Sequence, residues 1–201
     1  LQSPKLFICL FLIIGMKHRL IYIIFITMVS IVLVSGCTGV SGSNIVTYEN
    51  NEYGISFDYN SSWKMTGGDG EMYIVSIHSP KESPVDSFSE NFNVVAEDVS
   101  GSGWSVDKYT NVSMKYVEQS IIEDSTRSNY SLINVEDKKI DGLPARKVTY
   151  FVNLKERKYK FMQVFLVKDK IGFVLTFVAP FDKYDEFKSE INTFISSFEF
   201  I

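Results

Sequence analysis

Few residues in this chain could carry chemistry. Beyond residue 36 there is one cysteine, Cys37, and one histidine, His78. A disulfide needs two cysteines, a structural zinc site about four Cys or His ligands, and a Ser/His or Cys/His nucleophile pair would have to use His78. His78 precedes Ser79-Pro80, with Ser76 two residues before it. Paired with Ser76 or Ser79 it would make a hydrolase centre, the imidazole taking the hydroxyl proton. No second His or Cys and no acidic residue at a fixed spacing supports that centre. An ordinary strand-edge histidine is the simpler account.

Carboxylates adjoin at Glu97-Asp98, Glu123-Asp124 and Asp185-Glu186. Neighbours on a strand point to opposite faces, so the first pair forms no dyad, and the other two fall at helix ends where solvation and the helix dipole account for them. No Asp-x-Asp-x-Asp-Gly calcium loop is present. Gly67-Gly68-Asp69-Gly70 and Gly101-Ser102-Gly103 lack the order of a phosphate-binding loop and read as turns. No catalytic residue, metal or cofactor is expected.

Charge narrows the partners. The first 36 of the 201 residues contain Lys5, Lys17 and Arg19 and no acid, so residues 37–201 hold 17 basic against 24 acidic side chains, net −7. Lys155 to Lys160 is the one dense cationic stretch in that part. Nucleic-acid binding rests on clustered cations that neutralise phosphates, and it is set aside.

The beginning of the sequence reads as an address. From Met16 a basic patch (Lys17, His18, Arg19) leads into an apolar run of 15 residues, Leu20 to Val34, broken only by Thr27 and Ser30. That is the layout of a secretory signal peptide, and it is shorter than the ~20 residues that span a bilayer. Val34-Ser35-Gly36-Cys37 resembles the lipobox of exported lipoproteins, in which the cysteine takes a lipid thioether. The expectation is a leader over 1–36 whose natural start is Met16, a lipidated Cys37 with a Gly/Ser-rich tether over 37–44, and one domain over 45–201. The domain then faces outside the cytoplasm at the cell membrane, with membrane lipid as the partner of Cys37. One acyl chain holds only marginally, so firm attachment calls for a second chain or for the uncleaved leader.

Within the domain, Tyr53, Ile55, Phe57 and Tyr59 alternate on one face of a strand that Asn60-Ser61-Ser62 turns before Trp63. Met72 to Ile77 and Phe92 to Ala96 read as two further strands. Ser105 caps a helix to about Asp124 with an apolar stripe of Tyr109, Val112, Tyr116, Val117 and Ile121. Tyr130 to Ile140, Ala145 to Leu154, Tyr159 to Val167 and Ile171 to Val178 form a meander of hairpins separated by short turns. Asp182 then caps a last helix whose Tyr184, Phe187, Ile191, Phe194, Ile195 and Phe198 must be buried. Six or seven antiparallel strands with helices packed on their faces make an α+β layered domain.

Two surface features stand apart. Asn60, Asn111 and Asn129 each open an Asn-x-Ser triplet and are candidate glycosylation sites. Of 29 aromatic residues, 25 fall in the domain and most must be core; an excess at the surface would mark a partner-binding patch, for which Trp104, in a glycine-flanked loop, is the candidate contact.

The order of elements, together with three stretches, resembles the PsbP family, the extrinsic subunits of photosystem II and their non-photosynthetic relatives. The stretches are Tyr53-Gly54-Ile55-Ser56-Phe57-Asp58-Tyr59 through Trp63, Ile140-Asp141-Gly142-Leu143-Pro144-Ala145-Arg146 into Val148 and Tyr150, and Ala179-Pro180 with the helix ending Ser196-Ser197-Phe198. Asn60 stands where the family usually has Pro. The resemblance implies an antiparallel sheet sandwiched between helices, no enzymatic activity, and a role in binding a protein partner or assisting the assembly of a membrane complex. The metal-binding histidines of some photosynthetic relatives have no counterpart, and no binding residue carries over. A small-ligand-binding lipoprotein associated with a transporter is the alternative, and it requires a pocket with convergent polar groups.

Overall fold

The computed structural model describes residues 44–67, 73–83, 88–124, 129–154 and 157–201. Cys37, the expected leader and Met72 lie outside them, as do residues 68–70 of the glycine turn.

Runs rich in Val, Ile, Phe and Tyr become strands, because branched and aromatic side chains pack on a pleated surface. In chain order these are β1 (Ile45–Asn50), β2 (Ile55–Asn60), β3 (Lys64–Gly67), β4 (Val75–His78) and β5 (Asn91–Asp98), then helix α1 (Val106–Asp124). The meander follows as β6 (Asn129–Ile140), β7 (Leu143–Leu154), β8 (Arg157–Lys168) and β9 (Ile171–Pro180). A 3-10 turn (Tyr184–Phe187), helix α2 (Lys188–Ser197) and β10 (Glu199–Phe200) close the chain.

Seven strands pair antiparallel in the order β3-β4-β5-β9-β8-β7-β6, and a separate sheet has the order β1-β2-β10. Two-residue turns set the register of the meander. Asp141 and Gly142 have φ of 46° and 74°, and Asp169 and Lys170 have 51° and 68°, the left-handed pair that matches the twist of a tight hairpin.

The main sheet is buried on both faces. On one face Tyr109, Val117 and Ile121 of α1 pack on Val148, Tyr150, Phe161, Phe165 and Val174. On the other, Ile55 and Phe57 of β2 and Phe194 of α2 pack with Trp63 on Phe92, Leu175 and Phe177. Ring centroids of Phe92 lie 4.5 Å from Phe177 and 4.4 Å from Phe194, and Phe57 meets Phe194 edge-on at 4.7 Å. Burial of one such ring contributes about 1.5–3 kcal/mol, so this aromatic layer holds the small sheet and α2 to the large one. The fold is α+β, with helices on both faces of a seven-stranded sheet, as expected.

The differences are instructive. β1, β3 and β10 were not expected: β1 carries mostly exposed residues and β3 and β10 are short, so none shows a clean alternation. Asp182 does not cap the last helix. The chain makes a 3-10 turn first, α2 begins at Lys188, and the residues before each have no side-chain cap. Ser105 does cap α1, its Oγ accepting from the Lys108 N–H at 3.3 Å. Thr110, Ser113 and Ser120 are buried on α1 beside Tyr109, Val117 and Ile121, whereas Val112 and Tyr116 are half-buried. Thr110 and Ser120 return their hydroxyls to the carbonyls of Val106 and Tyr116, which lets small polar residues lie against the sheet.

Candidate functional site

His78 and Ser76 share a face of β4, since residues two apart on a strand point the same way. The Ser76 Oγ lies 3.0 Å from the His78 Nε2. Burial and the neighbouring Lys64 ammonium hold the imidazole below its ordinary pKa, which favours the neutral ring that accepts or donates at that oxygen. Ser79 points elsewhere, donating to the buried Glu90 carboxylate at 2.6 Å.

Ser76 belongs to a longer row. Register places Thr66, Ser76, Asn93, Thr176 and Gln163 opposite one another across β3, β4, β5, β9 and β8. Gln163 donates to Thr176 at 3.3 Å and accepts from the Tyr150 hydroxyl at 3.1 Å. The serine is thus one rung of a polar ladder. Ser76 and His78 line neither the groove around Arg146 nor the smaller one beside Trp63 and Phe194.

The larger groove, about 560 Å³, lies between the start of α1 and the β6–β7 hairpin. Its centre is Arg146, which donates from Nε to Asp107 of α1 at 2.7 Å and from Nη1 to Asp137 of β6. Both acids push the guanidinium pKa upward, led by the hydrogen bond to Asp107. Lys138 and Lys139 rim the same opening. Among the described residues no group of three or more His, Cys, Asp or Glu is placed to hold a metal ion.

A third feature is apolar. β6 is an edge strand, and on it Leu132, Ile133 and Val135 are about half exposed, with Ile122 of α1 at 62 %. Leu132 is opposite Tyr150 and Val135 opposite Val148, so both stand on the face that α1 covers further in. The register shifts between Leu132 and Asn134, a bulge at Ile133. Three exposed apolar residues on one edge strand form the kind of surface that marks an interaction site, and the helix that packs beside that strand exposes a fourth.

Cys37 lies outside the described residues. Trp104 is half-buried, its ring 6.4 Å from Tyr109 on the core under α1. Asn60 is half-buried and accepts from the Ser62 N–H at 3.0 Å, Asn111 is exposed on α1 with Ser113 buried beneath, and exposed Asn129 accepts from the Asn153 amide. Glu97 and Asp98 diverge as adjacent strand residues must: Glu97 accepts from the Tyr109 hydroxyl at 2.6 Å, and Asp98 from the Ser100 N–H at 2.7 Å. The side chains of Glu123 and Asp124 lie outside the described set.

The sequence profile of a family described as PsbP-like protein matches residues 35–200. The chain belongs to the PsbP-like family. Its fold is similar to the solution structure of cyanobacterial PsbP (CyanoP) from Synechocystis sp. PCC 6803, at a TM-score of 0.61 and 20 % identity, covering 84 % of this chain and 99 % of that one. It is also similar to LpqN of Mycobacterium tuberculosis, a protein involved in cell envelope biogenesis, at a TM-score of 0.52 and 10 % identity, covering 77 % and 89 %. At these identities the likeness is one of fold. No curated protein matches the sequence significantly.

The PsbP-like reading of the sequence therefore stands, while the β6 patch was not part of it. Its signal, Leu132-Ile133 followed by Val135, reads as ordinary strand alternation with one residue out of step. Only pairing with β7 shows that residue as a bulge on a sheet edge.

Proposed function

We propose that this PsbP-like chain is a non-catalytic accessory protein, anchored through a lipid on Cys37 outside the cytoplasmic membrane, whose domain binds a protein partner through β6 and assists a membrane complex. The exposed apolar set Leu132, Ile133, Val135 and Ile122 carries the reading of partner binding. Apolar side chains on an unpaired edge are a liability for an isolated domain, and a partner strand or apolar face would cover them. The lipobox-like Val34-Ser35-Gly36-Cys37 supports the anchor.

A photo-crosslinking residue at Leu132, in membranes of the host, tests the partner. The expected result is one discrete adduct that a Val135→Lys change removes, while the same residue at exposed Lys115 gives none. No adduct at Leu132, or equal adducts at both, overturns the reading. The mass of the mature N-terminus tests the anchor separately.

The groove around Arg146 favours a second reading, a small-ligand-binding lipoprotein, because its volume suits a small molecule. Asp107 and Asp137 already engage the guanidinium, so a carboxylate ligand would have to displace one of them. A rise in melting temperature with a panel of small anions, lost in Arg146→Gln, would favour this reading over the first.

A further inference from the structure

The described strands run back and forth between two ends of the domain, and the chain leaves toward Cys37 at one of them. β1 begins there, paired at Ile45 with the end of β2, and the Ser61 N–H donates to the Asn44 carbonyl at 2.7 Å. β7 and β9 end there and β8 and α2 begin there, whereas the Asp141-Gly142 and Asp169-Lys170 turns close the opposite end. Strands of 12 residues such as β7 and β8 extend about 40 Å. Six residues separate Cys37 from Asn44, and seven peptide steps reach at most about 25 Å. A chain held at Cys37 cannot stand upright on its far end, with the near end about 40 Å above the bilayer.

The near end has the composition of an interfacial surface. Phe181 is 42 % exposed, and Ile45 and Val46 are also exposed. The Lys158 Nζ stands 3.7 Å from the ring centroids of both Phe151 and Phe181, and the Lys160 Nζ lies 4.1 Å from that of Tyr184. Lys160 and Lys188 share Asp185, and Lys183 pairs with Glu82, so acids near these lysines are offset. Asp182 and Glu186 add negative charge to the same turn and bring the end near balance. Residues 37–201 as a whole are net −7, so this end is less acidic than the domain's average and an anionic surface repels it correspondingly less. Exposed aromatic residues beside lysines are the side chains that settle at the headgroup level.

We infer that the domain lies with this end on the lipid bilayer, Phe181 seated in the interface and Lys158 toward the headgroups. The inference rests on the anchoring at Cys37 proposed above. It leaves the β6 edge on the flank, facing sideways along the membrane.

The test uses the lipidated full chain, reconstituted in vesicles of phosphatidylcholine with one quarter phosphatidylglycerol, acyl chains brominated. An environment-sensitive dye is placed at Asp182→Cys beside Phe181, or at Asp169→Cys at the far end. Quenching at position 182 at least about threefold stronger than at 169, and weakened by Phe181→Ser, is the expected result. Equal quenching, or stronger quenching at 169, overturns the inference. The mass of the Cys37 peptide from the same preparation separates the two readings. Lipidated Cys37 with position 182 unquenched removes only the orientation, and unmodified Cys37 removes the anchor and the orientation with it.

Discussion

Tyr109 of α1 lies so close over Gly172 of β9 that a β-carbon at that glycine would stand 2.6 Å from the Tyr109 Cζ. Glu97 is the cross-strand neighbour of Gly172 and accepts the Tyr109 hydroxyl, so one phenol spans the pair and fixes the start of α1 to the sheet. The ring is fully buried, meets Phe165 edge-on at 5.8 Å, and cannot swing away. Burial, and then the Glu97 charge, push the Tyr109 pKa well up, so the hydroxyl remains a donor at neutral pH.

Gly172→Ala is therefore expected to destabilise the domain by about 1–3 kcal/mol, the usual cost of overpacking. Urea unfolding measures it. Tyr109→Leu in the same background should recover part of the loss, because the shorter side chain vacates the contested space. Strictly additive single-mutant losses would show that ring and glycine do not press on one another.

His78 gives a pH dependence of definite sign. Its folded pKa is depressed below the ordinary 6.5 by burial first and Lys64 second. The unfolded chain binds the proton more readily, so this contribution is complete above pH 6.5 and is lost as pH falls through the depressed folded value. Acidification from pH 7 should lower the urea midpoint, and His78→Gln should flatten that slope just below pH 6.5. A slope equal to that of the unaltered protein would mean that the imidazole is free to charge in the folded state.

The legibility of the sequence follows from what each residue's neighbours decide. The four long strands from Asn129 to Pro180 and the helix capped by Ser105 were readable because alternation, turn residues and a capping hydroxyl are local signals. β1 was not readable, since its first three residues, Ile45, Val46 and Thr47, are all exposed and its strand character comes from pairing with β2. Asp182 looked like a helix cap on local grounds, yet Tyr184 and Phe187 dock on Phe177, which shapes that segment as a 3-10 turn. The proximity of Ser76 and His78 was legible as a two-residue spacing, whereas the polar ladder that includes the serine depends on four partner strands.

The β6 patch should separate stability from binding. Leu132 and Val135 are about half exposed, so Leu132→Lys with Val135→Lys is expected to move the unfolding free energy by no more than about 1 kcal/mol, two ordinary surface changes added. The doubly substituted protein should also aggregate less at high concentration, since lysine on an edge discourages strand pairing. A loss of several kcal/mol, measured by the same urea titration, would show that these residues belong to the core and not to a docking surface.

The small sheet is attached to the rest through Phe57. Its ring is fully buried, 5.0 Å from Tyr48 of β1, 4.7 Å from Phe194 of α2, and stacked at 6.2 Å on Phe198. The Ser197 hydroxyl accepts from the Asp58 N–H at 2.8 Å, so β2 and the end of α2 are also joined by a polar contact. Phe57→Ala should cost about 3–5 kcal/mol, the range for a large ring removed from a packed core. Hydrogen exchange tells how that loss is distributed. If the two sheets fold as one unit, amides of β8 and β9 lose protection together with those of β2. If β1, β2 and β10 open by themselves, only their amides do, and the covering of Phe92 and Phe177 would then be a local equilibrium separate from global unfolding.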